Sequence, residues 1–133
     1  MVRYIYLTNY IAKIIKKLYI DLVSPIDFKS TKLNRDEAKK LISKIMTFFP
    51  GNIYFSRHSI QELRNDSLST IDALNLLKSH DSKIHDEGEL INGSFRYRLE
   101  TSNILLVVAF REDGKGLTVI TAWDKRKRTG EKT

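Results

Sequence analysis

Apolar residues recur at helical spacing through the first half of the chain and at alternate positions through much of the second. Ile11, Ile14, Ile15, Leu18 and Leu22 share one face, with Lys13, Lys16 and Lys17 on the other, which predicts an amphipathic basic helix packed on the protein's own core. The lysines interrupt every apolar run there, so no stretch reaches the roughly 20 residues that a membrane span needs. Ser24-Pro25 stops this helix, and Ile26 to Leu33 reads as a polar connector. Asn34-Arg-Asp-Glu37 then has the spacing of a capping box. Ala38, Leu41, Ile42, Ile45 and Met46 form the apolar stripe of the helix it opens, which ends at Pro50-Gly51.

Ile53-Tyr54-Phe55 is a short strand-like run leading into Ser56, a plausible N-cap. The helix after Ser56 is anchored by Ile60 and Leu63 and closed by Asn65-Asp66. Ser69-Thr-Ile-Asp72 caps another helix, whose Ile71, Leu74 and Leu77, with Ala73 and Leu76 alongside, predict a buried side. Beyond His80 the period changes. Lys83 to Leu90 alternates imperfectly, Asn92-Gly93 is a hairpin signal, and Phe95-Arg-Tyr-Arg-Leu99 alternates cleanly. Ile104 to Phe110 is apolar throughout and predicts a central strand covered on both faces; Asp113-Gly114 to Gly116 turns the chain into a last strand ending near Trp123. Helices followed by antiparallel strands predict an α+β fold, with N-terminal helices packed on one side of a three- to four-stranded antiparallel sheet.

Charge changes this picture more than length does. The 133 residues suit one domain, and the formal charge of +7 is unevenly spread. Residues 1–50 carry ten Lys/Arg against four Asp/Glu, residues 51–100 six against eight, and residues 101–133 seven against four. Basic ends on a small domain are drawn to polyanions, nucleic acid first. Cysteine is absent, so disulfides and thiolate metal sites are excluded, and three histidines make a histidine metal cluster an unpromising reading. We therefore expect no metal and no cofactor.

Two stretches carry candidate chemistry. At the mouth of the Ser56-capped helix, Arg57 and His58 would sit where backbone N–H groups attract anions, with Glu62 one turn below His58 and Arg64 two turns below Arg57. A solvated connecting helix would look the same. In Phe95 to Leu99, alternation puts Arg96 and Arg98 on one sheet face, about 7 Å apart, and Phe95, Tyr97 and Leu99 on the other. Thr121 and Trp123 alternate together near the end of the last strand, and Lys125 follows. Trp123 could stack a base or simply close the core. His85 lies in an acidic loop or strand edge, and His80 at a helix C-terminus.

Ile-Tyr-Phe-Ser-Arg-His58 at a helix start, Gly93-Ser-Phe-Arg-Tyr-Arg98, an apolar strand and Val119-Ile-Thr-Ala-Trp123 together resemble DUF family 4258. That family is similar to the RelE, ParE and BrnT toxins, whose ribonuclease members share the barnase/colicin/RelE fold. The resemblance covers roughly residues 50–125. It implies a RelE-like core there, after a helical N-terminal extension over 1–49 and before a basic tail over 126–133. It also implies metal-independent cleavage of RNA by 2′-hydroxyl attack on the adjacent phosphate. His58 would exchange protons, Arg96 and Arg98 would stabilise the phosphorane, and Glu62 would partner His58. Arg57, Arg64, Thr121, Trp123 and Lys125 would bind the nucleic acid. The pattern lacks an obvious second general acid, a role that falls to His85 or Lys125. The implied partners are RNA and a cognate antitoxin or immunity protein. Action would be in the cytoplasm, by a complete protein or by the tip of a larger secreted toxin. Two alternatives stay open: a non-catalytic nucleic-acid or protein-binding module, and a ParE-like poison of gyrase.

Overall fold

The computed structural model describes residues 11–14, 26–85 and 88–126. Residues 11–14 are helical, with Ile11 and Ile14 at 47% and 42% exposure, so this turn does not seat its isoleucines in the core as expected. Ile15, Leu18 and Leu22 lie outside the described residues.

Helix α1 (Arg35–Phe48) begins at the predicted capping box: the Asn34 side chain accepts from the Glu37 N–H, and the Glu37 carboxylate accepts from the Asn34 N–H. Its five stripe residues, Ala38, Leu41, Ile42, Ile45 and Met46, are all buried. Pro50 starts a short 3-10 turn, which delivers the chain to β1 (Ile53–Phe55). Helix α2 (Arg57–Asn65) follows Ser56, and α3 (Thr70–Lys78) follows a second capping box between Ser69 and Asp72. The buried side of α3 is Ala73, Leu76 and Leu77; Ile71 is 65% exposed, contrary to the sequence pattern. Ile71 sits in the first turn, two residues ahead of Ala73, and points away from the stripe that Ala73 and Leu77 define.

The strands are β2 (Lys83–Ile84), β3 (Glu89–Ile91), β4 (Ser94–Glu100), β5 (Ile104–Phe110) and β6 (Leu117–Asp124). Together with β1 they form one six-stranded sheet, in the order β1-β6-β5-β4-β2 with β3 also on β4. The expected antiparallel meander is present as β3 to β6. Two differences enlarge it. β1 pairs in parallel with β6, and β2 adds two residues to the far edge beside β3. Neither strand is long enough to show a period of its own. Asn92 and Gly93 both take positive φ, 52° and 78°, the geometry of the tight turn expected between β3 and β4.

One face of the sheet meets all three helices. Tyr97 and Leu99 from β4, Leu106, Val108 and Phe110 from β5, and Leu117, Val119 and Ala122 from β6 share a core with Ile42, Ile45, Leu63, Ala73 and Leu77. Each large aliphatic side chain so buried contributes about 1.5–3 kcal/mol. Tyr97 is the most demanding member. Fully buried against Phe110 with ring centroids 5.3 Å apart, it accepts the Leu33 N–H at 2.9 Å and donates to the Thr31 carbonyl at 3.5 Å. Burial raises the Tyr97 pKa above its ordinary value. The connector ahead of α1 is thus fastened to the centre of β4.

Candidate functional site

The other sheet face carries no helix of the shared core, and the register sorts its side chains into rungs. Arg96, Ala109, Thr118 and Tyr54 form one rung across β4, β5, β6 and β1. Arg98, Val107 and Thr121 form the next, and Glu100, Leu105 and Trp123 the third. A register shift between Val107 and Val108 leaves Ile120 as an extra residue on β6. That bulge keeps Thr118 and Thr121 on the same face although three positions separate them, and the core face passes from Val119 to Ala122. Alternation alone would have assigned one of these sets wrongly.

Arg96, Arg98, Thr121 and Trp123 therefore stand together, as the sequence pattern implies, lining a depression of about 350 Å³ with Glu89 and Val107. Arg96 also lines a second depression of about 590 Å³, with Lys29, Arg111, Glu112, Asp113 and Thr118. Arg96 is half-buried, and among the described residues its Nε, which has no access to solvent, has no hydrogen-bond partner.

At the third rung the Glu100 carboxylate joins two groups that the sequence reading kept apart. Its Oε1 lies 2.9 Å from His85 Nδ1, and its Oε2 lies 3.1 Å from Lys125 Nζ, which also donates to the Thr101 carbonyl at 3.3 Å. Burial works to raise the Glu100 pKa. The hydrogen bond and charge of Lys125, and then those of His85, outweigh it and hold the carboxyl below the ordinary carboxylate range. The His85 N–H donates to the Arg98 carbonyl at 2.8 Å, continuing the β2 pairing, so His85 stands opposite Arg98. Glu100 and Lys125 also border a third depression of about 810 Å³, with His80 and Asn103. The backbone of Lys125 is held as well: its N–H donates to the Asn103 carbonyl at 2.8 Å.

The helix-mouth cluster is elsewhere. Ser56 caps α2 as expected, its Oγ accepting the Ser59 N–H at 3.0 Å and donating to the Ile120 carbonyl at 2.8 Å. His58 Nε2 and Glu62 Oε1 face each other at 3.9 Å on the helix surface, with His58 63% exposed. Arg57 and Arg64 are exposed on the same helix. Leu63 and Ser59 turn the opposite side of α2 into the protein. The mouth of α2 is fastened to β6, and β5 and β6 separate it from β4, about 10 Å of sheet. Neither His58 nor Glu62 lines the depressions around Arg96 and Arg98. The structure thus gathers Arg96, Arg98, Thr121, Trp123 and Lys125, and leaves Arg57, His58, Glu62 and Arg64 apart from them.

Four contributors were missed by the sequence reading: Glu100, Tyr54, Arg111 and Lys29. Only Glu100 had a usable signal, because it continues the Arg96, Arg98 alternation by one step. Among the described residues, no group of three or more His, Cys, Asp or Glu side chains is placed to hold a metal ion, and no helix is long and apolar enough to cross a membrane. No family model, curated protein or solved structure matches the chain. What the open face can do is read from its own geometry.

Proposed function

We propose that the open sheet face binds single-stranded RNA and cleaves it without a metal ion, through attack of a 2′-hydroxyl on the adjacent phosphate. The observation that carries this reading is the juxtaposition, on one face, of two sheet arginines with the His85–Glu100–Lys125 cluster. The reaction needs a base, an acid and cations around the developing phosphorane. Glu100 accepts a proton-bearing Nδ1 of His85, and the opposite nitrogen, Nε2, takes the 2′-hydroxyl proton as that oxygen bonds to phosphorus. Arg98, opposite His85, and Arg96, one step along β4, stabilise the added negative charge. As the bond to the 5′-oxygen breaks, Lys125 supplies the proton to the leaving group. The products are a 2′,3′-cyclic phosphate and a 5′-hydroxyl. His85 replaces His58 in this scheme, because His85 shares the arginine face.

An activity of this kind is toxic to the cell in which it acts, which agrees with the RelE-like resemblance, with a cytoplasmic site of action and with restraint by an antitoxin or immunity protein. Incubation of the purified protein with total RNA in excess chelator tests the chemistry. Fragments bearing 2′,3′-cyclic ends are expected, with a loss of at least about 100-fold in His85→Ala and a wild-type rate in His58→Ala. Intact RNA with the wild-type protein overturns the reading, and loss of cleavage in His58→Ala alone moves the chemistry to the mouth of α2.

A further inference from the structure

The depression beside Arg111 is larger than the one that holds Arg98 and Trp123, and apart from Arg96 the cleavage chemistry leaves its lining unused. Arg111 lines it together with Lys29, Arg96, Glu112 and Asp113, and beside it Arg111 pairs with an aromatic ring of β1. The Arg111 guanidinium lies 5.2 Å from the Tyr54 ring centroid and donates from Nη1 to the Tyr54 hydroxyl at 3.0 Å. Tyr54 is nonetheless 45% exposed, on an edge strand where a large aromatic ring gains little from burial.

The loop behind Arg111 holds it in place. Arg111 N–H donates to the Gly116 carbonyl at 2.9 Å, and Asn52 Nδ2 donates to the Lys115 carbonyl at 2.9 Å, tying the turn to the residue before β1. Gly114 has φ +70° and lies against the Phe28 ring, where an added Cβ would meet it at 2.6 Å. Phe28 in turn donates its N–H to the Glu112 carbonyl at 3.0 Å, and Phe95 N–H donates to the Lys29 carbonyl at 2.9 Å. The turn that presents Arg111 and the connector that presents Lys29 are therefore braced against each other.

We propose that this depression is a nucleotide subsite, which stacks a base of single-stranded RNA on the Tyr54–Arg111 pair and holds the neighbouring phosphate at Arg96. The proposal rests on the RNA reading of the same face and extends the bound strand past the reacting phosphate. Planar guanidinium and phenol groups both accept a base on their faces, largely irrespective of which base it is. Arg96, which lines both depressions, marks where the backbone crosses from one to the other.

Binding of a fluorescent 2′-O-methyl RNA octamer, which cannot be cleaved through its 2′-oxygen, tests the subsite separately from the chemistry. Tyr54→Ala and Arg111→Ala should each weaken binding by about tenfold or more, whereas Tyr54→Trp should restore it. Wild-type affinity in both alanine variants overturns the subsite, even where RNA is cleaved. Weakened binding in those variants with no cleavage by the wild-type protein sustains the subsite and overturns the nuclease. An octamer that fails to bind the wild-type protein overturns the subsite as well.

Discussion

His85 Nδ1 lies 2.9 Å from Glu100 Oε1, across the edge of the sheet from which Arg98 faces the same side. The contact joins residues 15 apart in sequence and gives the carboxylate a second partner besides Lys125.

The first prediction concerns acid stability. The Glu100 carboxyl is held below the ordinary range when folded, so its contribution is fully present above the unfolded value, about pH 4.3, and is lost as the pH falls through the lower folded value. Urea midpoints measured from pH 7 to pH 3 should therefore fall more steeply in the wild-type protein than in Glu100→Gln below that point. Parallel curves for the two proteins would show that the His85 and Lys125 contacts do not favour the charged form.

A second prediction follows from the fastening of the connector to β4. Tyr97→Phe keeps the ring against Phe110 but strips the buried Leu33 N–H of its acceptor, at a cost of about 1–3 kcal/mol. Urea denaturation at pH 7 measures this. Because burial raises the Tyr97 pKa, the neutral phenol stabilises the fold below the unfolded value, near pH 10, and this contribution disappears as pH climbs through the folded value. Tyr97→Phe should lose that alkaline transition.

Helix α1, the cap of α2 and the β3–β4 turn were legible because each is specified by neighbouring residues: Asn34 with Glu37, Ser56 with Ser59, Asn92 with Gly93. The arginine face was legible from the alternation of β4. The parallel pairing of β1 was not, since Tyr54 meets Thr118 across 64 positions and three residues carry no period. The meeting of His58 with Arg96 and Arg98 failed for a related reason. Sequence spacing places residues on a face of their own element, and only the order β1-β6-β5-β4 shows that two strands intervene. Glu100 could have been read from parity, but its joining of His85 to Lys125 needs the return of β6 alongside β5.

Ser56 offers a third prediction, because one hydroxyl serves both the helix and the sheet. It accepts the Ser59 N–H and donates to the carbonyl of Ile120, the extra residue of the β6 bulge. Ser56→Ala removes an N-cap worth about 1 kcal/mol and a hydrogen bond worth about as much again. Thermal unfolding should show a loss of about 2 kcal/mol at the midpoint. A loss no larger than that of an ordinary exposed serine would mean that the cap and the bulge are not coupled through this residue.

The fourth prediction sets stability against binding at Arg96. Its Nε is buried without a partner among the described residues: Ala109 and Thr118 on one side of its rung carry no charge, and Glu89, opposite it on β3, does not accept from that nitrogen. An unsatisfied buried donor costs about 1–3 kcal/mol, whereas a methionine of similar length fills the space with no polar group to desolvate. Arg96→Met should therefore raise the stability of the free protein by about 1 kcal/mol in urea denaturation and at the same time weaken binding of the 2′-O-methyl octamer by about tenfold or more. Opposite signs for the two effects are what a residue retained for a ligand produces. A variant that is destabilised and binds normally would make Arg96 a structural residue, and the phosphate would then have to be held by Arg98 alone.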